Sequence, residues 1–200
     1  KDGTIVILMA PSEWKNDKTE FTTDLLLGGI DPSTADCDGT KAGECKYTVD
    51  KTSYDSFFDG KGTCPALVTF DPTMVDGDKM TAGGNKQTFQ LNLPLVGINL
   101  SLKISKAQIS GTVSDADSWK TTKDAKLCGV IGKDDLNKAI DAVPEELLKE
   151  IGFDKATIKS LVGGILKPDI DSDGDGEEDS ISIALAMETV AAEVTGYAAE

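Results

Sequence analysis

Between positions 169 and 179 seven residues are acidic: Asp169, Asp171, Asp173, Asp175, Glu177, Glu178 and Asp179. So many carboxylates in one turn-forming stretch repel one another. A hard divalent cation relieves that repulsion, and calcium accepts about six to eight oxygen ligands in irregular geometry. The spacing suits such an ion. With Asp171 at the first ligand position, Asp173 falls third, Asp175 fifth and Gly176 sixth, where the chain must turn sharply. Glu177 then offers its backbone carbonyl, and Asp179 stands ninth. Asp169, two residues upstream, is an alternative first position. Ca2+ is therefore the expected cofactor, and Asp171, Asp173, Asp175, Glu177, Asp179 and Asp169 are the candidate metal ligands. Glu178 is expected to face water. The clusters Asp36/Asp38 and Asp71/Asp76/Asp78 read as ordinary Asp-Gly turns rather than second sites.

The elements that must hold this loop differ on its two sides. Upstream, Leu136, Ala139, Ile140 and Val143 recur at helical spacing, with Asp134 or Asp135 as the expected cap. Pro144 opens a second short helix whose apolar face is Leu147, Leu148 and Ile151, and Gly152 closes it. Asp154 caps a third, with Ile158, Leu161, Val162, Ile165 and Leu166 as its apolar face, and Pro168 stops it. Downstream, Ile181, Ile183, Leu185 and Met187 alternate with small or polar residues, the period of a strand. A last strand is expected over about 190–197.

The loop itself, Asp171-Ser-Asp173-Gly-Asp175-Gly-Glu-Glu-Asp179, resembles the DxDxDGxxD calcium loops of dockerins, thrombospondin type 3 repeats and EF-hand-like bacterial proteins. The resemblance spans this stretch alone and implies metal binding at the matched positions. It departs from the EF-hand at the twelfth position, where a bidentate Glu is replaced by Ser182, or by Ser180 if the frame starts at Asp169. With a helix before the loop and a strand after it, a calmodulin-type opening motion is not expected. More loosely, the loop-to-strand C-terminal part is similar to uncharacterised surface lipoproteins of Gram-negative bacteria.

Ahead of the helices the chain reads as β. Ile5 to Met9 is an apolar run of strand length, expected to be covered on both faces. Residues 31–64 have the composition of loops and short edge strands. Phe89, Leu91, Leu93 and Leu95 share one parity, and Ile98, Leu100, Leu102 and Ile104 the other. The flip at Val96-Gly97 marks a turn or bulge, Pro94 places its strand at an edge or an end, and Ala107, Ile109 and Val113 suggest a third strand. The expected class is α+β, mainly β: a β-sandwich-like meander with a three-helix insertion and a C-terminal calcium loop leading into a strand. One domain over 1–200 is expected, with a mainly β part at 1–130, a helical block at 133–167, and the calcium loop with C-terminal strands at 168–200.

Composition narrows the chemistry. Lys and Arg total 20 against 35 Asp and Glu, a net charge of −15. Such a surface repels nucleic acid and anionic lipid. Every basic residue is Lys and there is no His, which removes the bidentate guanidinium fork and the commonest general base. No carboxylate pair stands out for glycoside hydrolysis, Trp14 and Trp119 are isolated, and Ser and Cys lack a His to activate them. An enzyme is not expected. The four cysteines, Cys37, Cys45, Cys64 and Cys128, form no CxxC pair and read as two disulfides in an oxidising compartment. Cys37–Cys45 with Cys64–Cys128 is the favoured one of three pairings.

No run reaches the ~20 apolar residues of a membrane-spanning helix. An exported chain with this start has had its signal removed or trimmed, and anchoring is expected only through lipidation outside these residues. The expectation is a non-catalytic, calcium-stabilised structural, adhesive or assembly protein. It would be extracellular, periplasmic or on the outer surface of the cell envelope, and would bind a protein partner or further copies of itself. The alternative is a carrier of an apolar ligand such as a lipid, walled by Leu91, Leu93, Leu95, Leu100 and Leu102 with Leu161, Val162, Ile165 and Leu166.

Overall fold

The computed structural model describes residues 6–15, 17–56, 65–95, 98–116, 119–150 and 152–198; at 92–95, 98–100, 115–116, 119–120 and 150 it describes the backbone alone. The first strands are β1 (Val6–Pro11), β2 (Phe21–Ile30), β3 (Lys46–Val49), β4 (Thr69–Asp76) and β5 (Lys79–Gly83). They are followed by β6 (Thr88–Leu95), β7 (Ile98–Ala116) and β8 (Trp119–Gly132). Helices α1 (Lys133–Ala142), α2 (Glu145–Glu150) and α3 (Lys155–Ile165) precede β9 (Ser180–Thr189) and β10 (Glu193–Tyr197). The protein is thus mainly β with three helices. Hydrogen bonds order the strands β10-β3-β2-β4-β5-β7-β8-β9, with β1 added to β2 and β6 to β7. The β10–β3 pair is parallel, which makes the sheet mixed.

Two compact units share these strands lengthwise. The first comprises Lys1–Gly84, Gln108–Lys126 and Ala186–Glu200; the second comprises Asn85–Ala107 and Leu127–Leu185. In the first, Leu8, Leu26, Cys45, Tyr47 and Val49 form a buried cluster, with Tyr54 and Tyr197 packed on it edge to face. Cys37 and Cys45 are joined as a disulfide, as expected, and its Cys45 half lies in this core. Cys64 lies outside the described residues, and with it the expected Cys64–Cys128 bond; Cys128 is half-buried and bonded to no described cysteine. β1 differs from expectation. Among the described residues it pairs with β2 alone, buries only Leu8, and leaves Ile7 exposed, so its apolar run is covered there on one face only.

A clasp holds the last strand of this unit. Asp31 accepts hydrogen bonds from Thr195 Oγ1 at 2.5 Å and from the Ser33 N–H at 2.8 Å, and Lys46 pairs with Glu193 at 3.2 Å. The Thr195 bond is the largest cause, followed by Ser33, of an Asp31 pKa lowered from 3.8 to about 2. A carboxylate with a depressed folded-state pKa stabilises above its unfolded pKa and ceases to as pH falls through the folded value. Thermal stability is therefore expected to fall between about pH 4 and pH 2, and Thr195→Val to flatten that part of the profile. Melts recorded at steps of pH across this window test it.

In the second unit β6 and β7 form the expected antiparallel hairpin, with Phe89 opposite Ile104 and Leu91 opposite Leu102, all four buried. Positions 96 and 97, between the two strands, are not among the described residues. Pro94 sits near the end of β6, which among the described residues pairs only with β7. The expected third strand is instead the continuation of β7. Lys106 adopts φ 51°, and the buried set passes from Leu102 and Ile104 to Ala107 and Ile109. One residue in the left-handed region shifts the side-chain parity without ending the strand, as a bulge does.

The helices match the sequence in place and differ in detail. α1 buries Leu136, Ala139 and Ile140 as expected, but its cap position is Gly132, without a side-chain bond. Asp134 and Asp135 stand in its first turn, where carboxylates still favour a helix N-terminus. Asp154 does cap α3, accepting from the Thr157 N–H at 2.6 Å. The expected apolar face of α3 is covered only in part: Ile158 and Val162 are half-buried, while Leu161, Ile165 and Leu166 are exposed. Lysines help dock the helix. Lys159 Nζ lies 2.7 Å from the Asp141 carboxylate and Lys155 Nζ 2.5 Å from the Asp141 carbonyl, at the C-terminal end of α1.

Candidate metal centre

The acidic stretch becomes a closed loop because its ends are tied together. Ile170 and Ser180 form a β-bridge, with the Ser180 N–H 3.1 Å from the Ile170 carbonyl. Beyond that base the chain turns repeatedly, and each turn uses an aspartate. Asp171 accepts from the N–H of Gly174 at 2.6 Å and of Gly176 at 2.9 Å. Asp173 accepts from the Asp175 N–H at 3.1 Å, and Asp175 from the Glu177 N–H at 2.8 Å. Gly174 and Gly176 have φ of 86° and 95°, a region costly for residues with a Cβ. The sixth-position glycine is therefore where the sequence places it.

These turns aim three carboxylates at one point. Asp171, Asp173 and Asp175 each present an oxygen, and the three lie within 4.8 Å of one another, all exposed. The carboxylates of Asp179 and Asp169 are held by serines. Asp179 accepts from the Ser172 N–H at 3.0 Å and from Ser172 Oγ at 2.8 Å, and the Ser180 hydroxyl bonds to Ser172 Oγ at 2.8 Å. Asp169 accepts from both the N–H and the hydroxyl of Ser182, the residue standing where an EF-hand has its last Glu. Glu177 and Glu178 line an open depression with Lys167, Pro168 and Gly176.

Hydrogen bonding favours the charged form of Asp171, Asp179 and Asp169. The Gly174 and Gly176 amides lower the Asp171 pKa, the Ser172 amide and hydroxyl that of Asp179, and the Ser182 hydroxyl that of Asp169. A charged carboxylate gains from each donor aimed at it.

Two anchors bind the loop to its surroundings. Lys106 Nζ donates to the Ser172 carbonyl at 2.9 Å, and the Lys133 N–H, at the start of α1, donates to the Asp179 carbonyl at 3.0 Å. Ser172 and Lys106 were not singled out by sequence, and Ser180 only as the twelfth position of the frame that starts at Asp169. Lys106 is 66 residues from its partner.

The triad fits a hard cation. Three clustered carboxylate oxygens on one exposed side could hold a metal ion, with the remaining positions left to water or backbone oxygen. The minor acidic turns are structural: Asp38 accepts from Thr40 N–H at 3.0 Å and Thr40 Oγ1 at 2.6 Å, and Asp76-Gly77-Asp78 belongs to the β4–β5 hairpin. No family model matches this chain, and neither a curated protein nor a solved structure is similar to it.

Proposed function

We propose that this is a non-catalytic structural or adhesive module of an extracellular or cell-surface assembly, stabilised by Ca2+ at Asp171, Asp173 and Asp175. The observation that carries the reading is the convergence of these three carboxylates within 4.8 Å in a loop preset by its own amides. The Asp179 carbonyl ties the loop to the first turn of α1, and the Ile170–Ser180 bridge ties it to β9. An ion in the loop thus tightens the junction between α1 and β9. The disulfide points to an oxidising compartment, where calcium is abundant. The absence of His and Arg supports a binding role over catalysis.

Chelation decides it. The melting temperature is expected to drop in EGTA and to return when calcium is restored in excess, with magnesium a poor substitute. A melt indifferent to EGTA ends the proposal.

A further inference from the structure

Among the described residues β10 borders β3 and no other strand. The two run parallel, with Glu193 opposite Lys46 and Tyr197 opposite Val49, and the register breaks at Thr195. β10 itself is not buried: Glu193, Val194 and Thr195 are exposed, Gly196 and Tyr197 half-buried. What it covers is buried. Tyr47 and Val49 of β3 are 7% and 4% exposed, and Ala192 and Tyr197 pack on their cluster. An empty seat would uncover that core and leave an open strand edge. The seat needs a strand.

That strand need not belong to the same chain. β9 pairs with β8 and β10 with β3, so releasing β10 breaks no pairing of the strand before it. Val190, Ala191 and Ala192 join the two, with no Gly, Pro, Asn or Asp and no positive φ among them. Such a connector contains no turn that fixes where the next strand must go. The contacts that recognise β10 all belong to the seat: Lys46 meets Glu193, Asp31 meets Thr195, and Tyr54 meets Tyr197. The strand complementary to them is 193–197 of this very sequence, and another copy supplies it unchanged.

We propose that β10 exchanges between copies, the last strand of one chain seating on β3 of another and tying the two together. This rests on the assembly part of the proposed function and names the partner. It does not draw on the metal, so EGTA melts and strand exchange fail independently.

Own and exchanged seats offer the same contacts, so the tether decides between them. A short tether holds its strand at an effective concentration of about millimolar. Refolding the intact chain at protein concentrations approaching that is expected to yield dimers, in calcium and in EGTA alike, that persist on dilution. Native mass spectrometry reads them. Two charge reversals locate the contact. The Lys46→Glu chain and the Glu193→Lys chain each set like charges against one another in their own seats, and reciprocal exchange between the two restores opposite charges in both. Refolded together, they are expected to form mixed dimers at more than about three times the statistical share. Dimers folded separately and then combined are expected to stay unmixed. Deleting Ala191, which shortens the tether, is expected to raise the dimer fraction of the otherwise unaltered chain more than about tenfold. Monomers alone at every concentration, with and without the deletion, overturn the proposal. So do dimers in which the two charge-reversed chains pair at random, or which mix without refolding.

Discussion

Ile104→Ala is expected to cost about 3–5 kcal/mol of folding stability, read as a lower midpoint of urea unfolding. Ile104 is fully buried on β7 opposite Phe89. Its Cγ2 methyl also occupies the place where a side chain at position 129 would begin: a Cβ on Gly129 would lie 2.5 Å from that methyl and 3.1 Å from the Ser105 carbonyl. Gly129→Ala alone is therefore expected to destabilise by about 1–3 kcal/mol through overcrowding. The two changes compensate in part. Removing Ile104 Cγ2 opens the space the new methyl needs, so the double variant is expected to cost less than the sum by about 1 kcal/mol. Strict additivity in that cycle would mean the close approach of β7 and β8 at this point is wrong.

Asp171→Ala is expected to abolish the difference between melts with and without calcium. Asp171 is the loop's first residue and serves two ends at once, as a ligand candidate and as acceptor for the Gly174 and Gly176 amides. At about a hundred times its Kd an ion adds about 2.7 kcal/mol, which in a chain of this size raises the melting temperature by about 5–10 °C. That increment is the quantity the variant loses. Asp179→Ala discriminates between the sequence pattern and the observed geometry. Its carboxylate is committed to Ser172, so a calcium-dependent increment is expected to persist there, on a lower ion-free baseline. If Asp179→Ala also erased the increment while Asp171→Ala kept it, the triad would be the wrong ligand set.

Local patterns carried much of the fold. Alternation placed Phe89 and Leu91 against Ile104 and Leu102, because a two-residue period leaves one choice of inward face. Helical spacing and the Asp154 cap located α3 for the same reason. Elements that depend on distant partners were not legible. A positive φ at Lys106 turned an expected third strand into more of β7, and nothing in a Ser-Lys-Ala stretch announces that. The inward side of α3 was read only in part: Ile158 and Val162 are half-buried as expected, but lysine stems share that side while Leu161, Ile165 and Leu166 stay exposed, a use of amphipathic chains that hydropathy hides. In the acidic loop, spacing brought out Asp171, Asp173 and Asp175, whose carboxylates cluster. The serines that hold Asp179 and Asp169, Ser172 and Ser182, follow from contacts the spacing does not encode.

The parallel seat of β10 beside β3 sets a timetable for synthesis. Glu193 meets Lys46 across 147 residues, and Tyr197 lies opposite Val49. A nascent chain leaving the ribosome has β3 long before the strand that borders it, and must first produce every residue of the interleaved second unit. Contacts this distant in the chain form late and slowly. Until the chain is nearly complete, β3 therefore has β2 on one side and nothing yet made for the other.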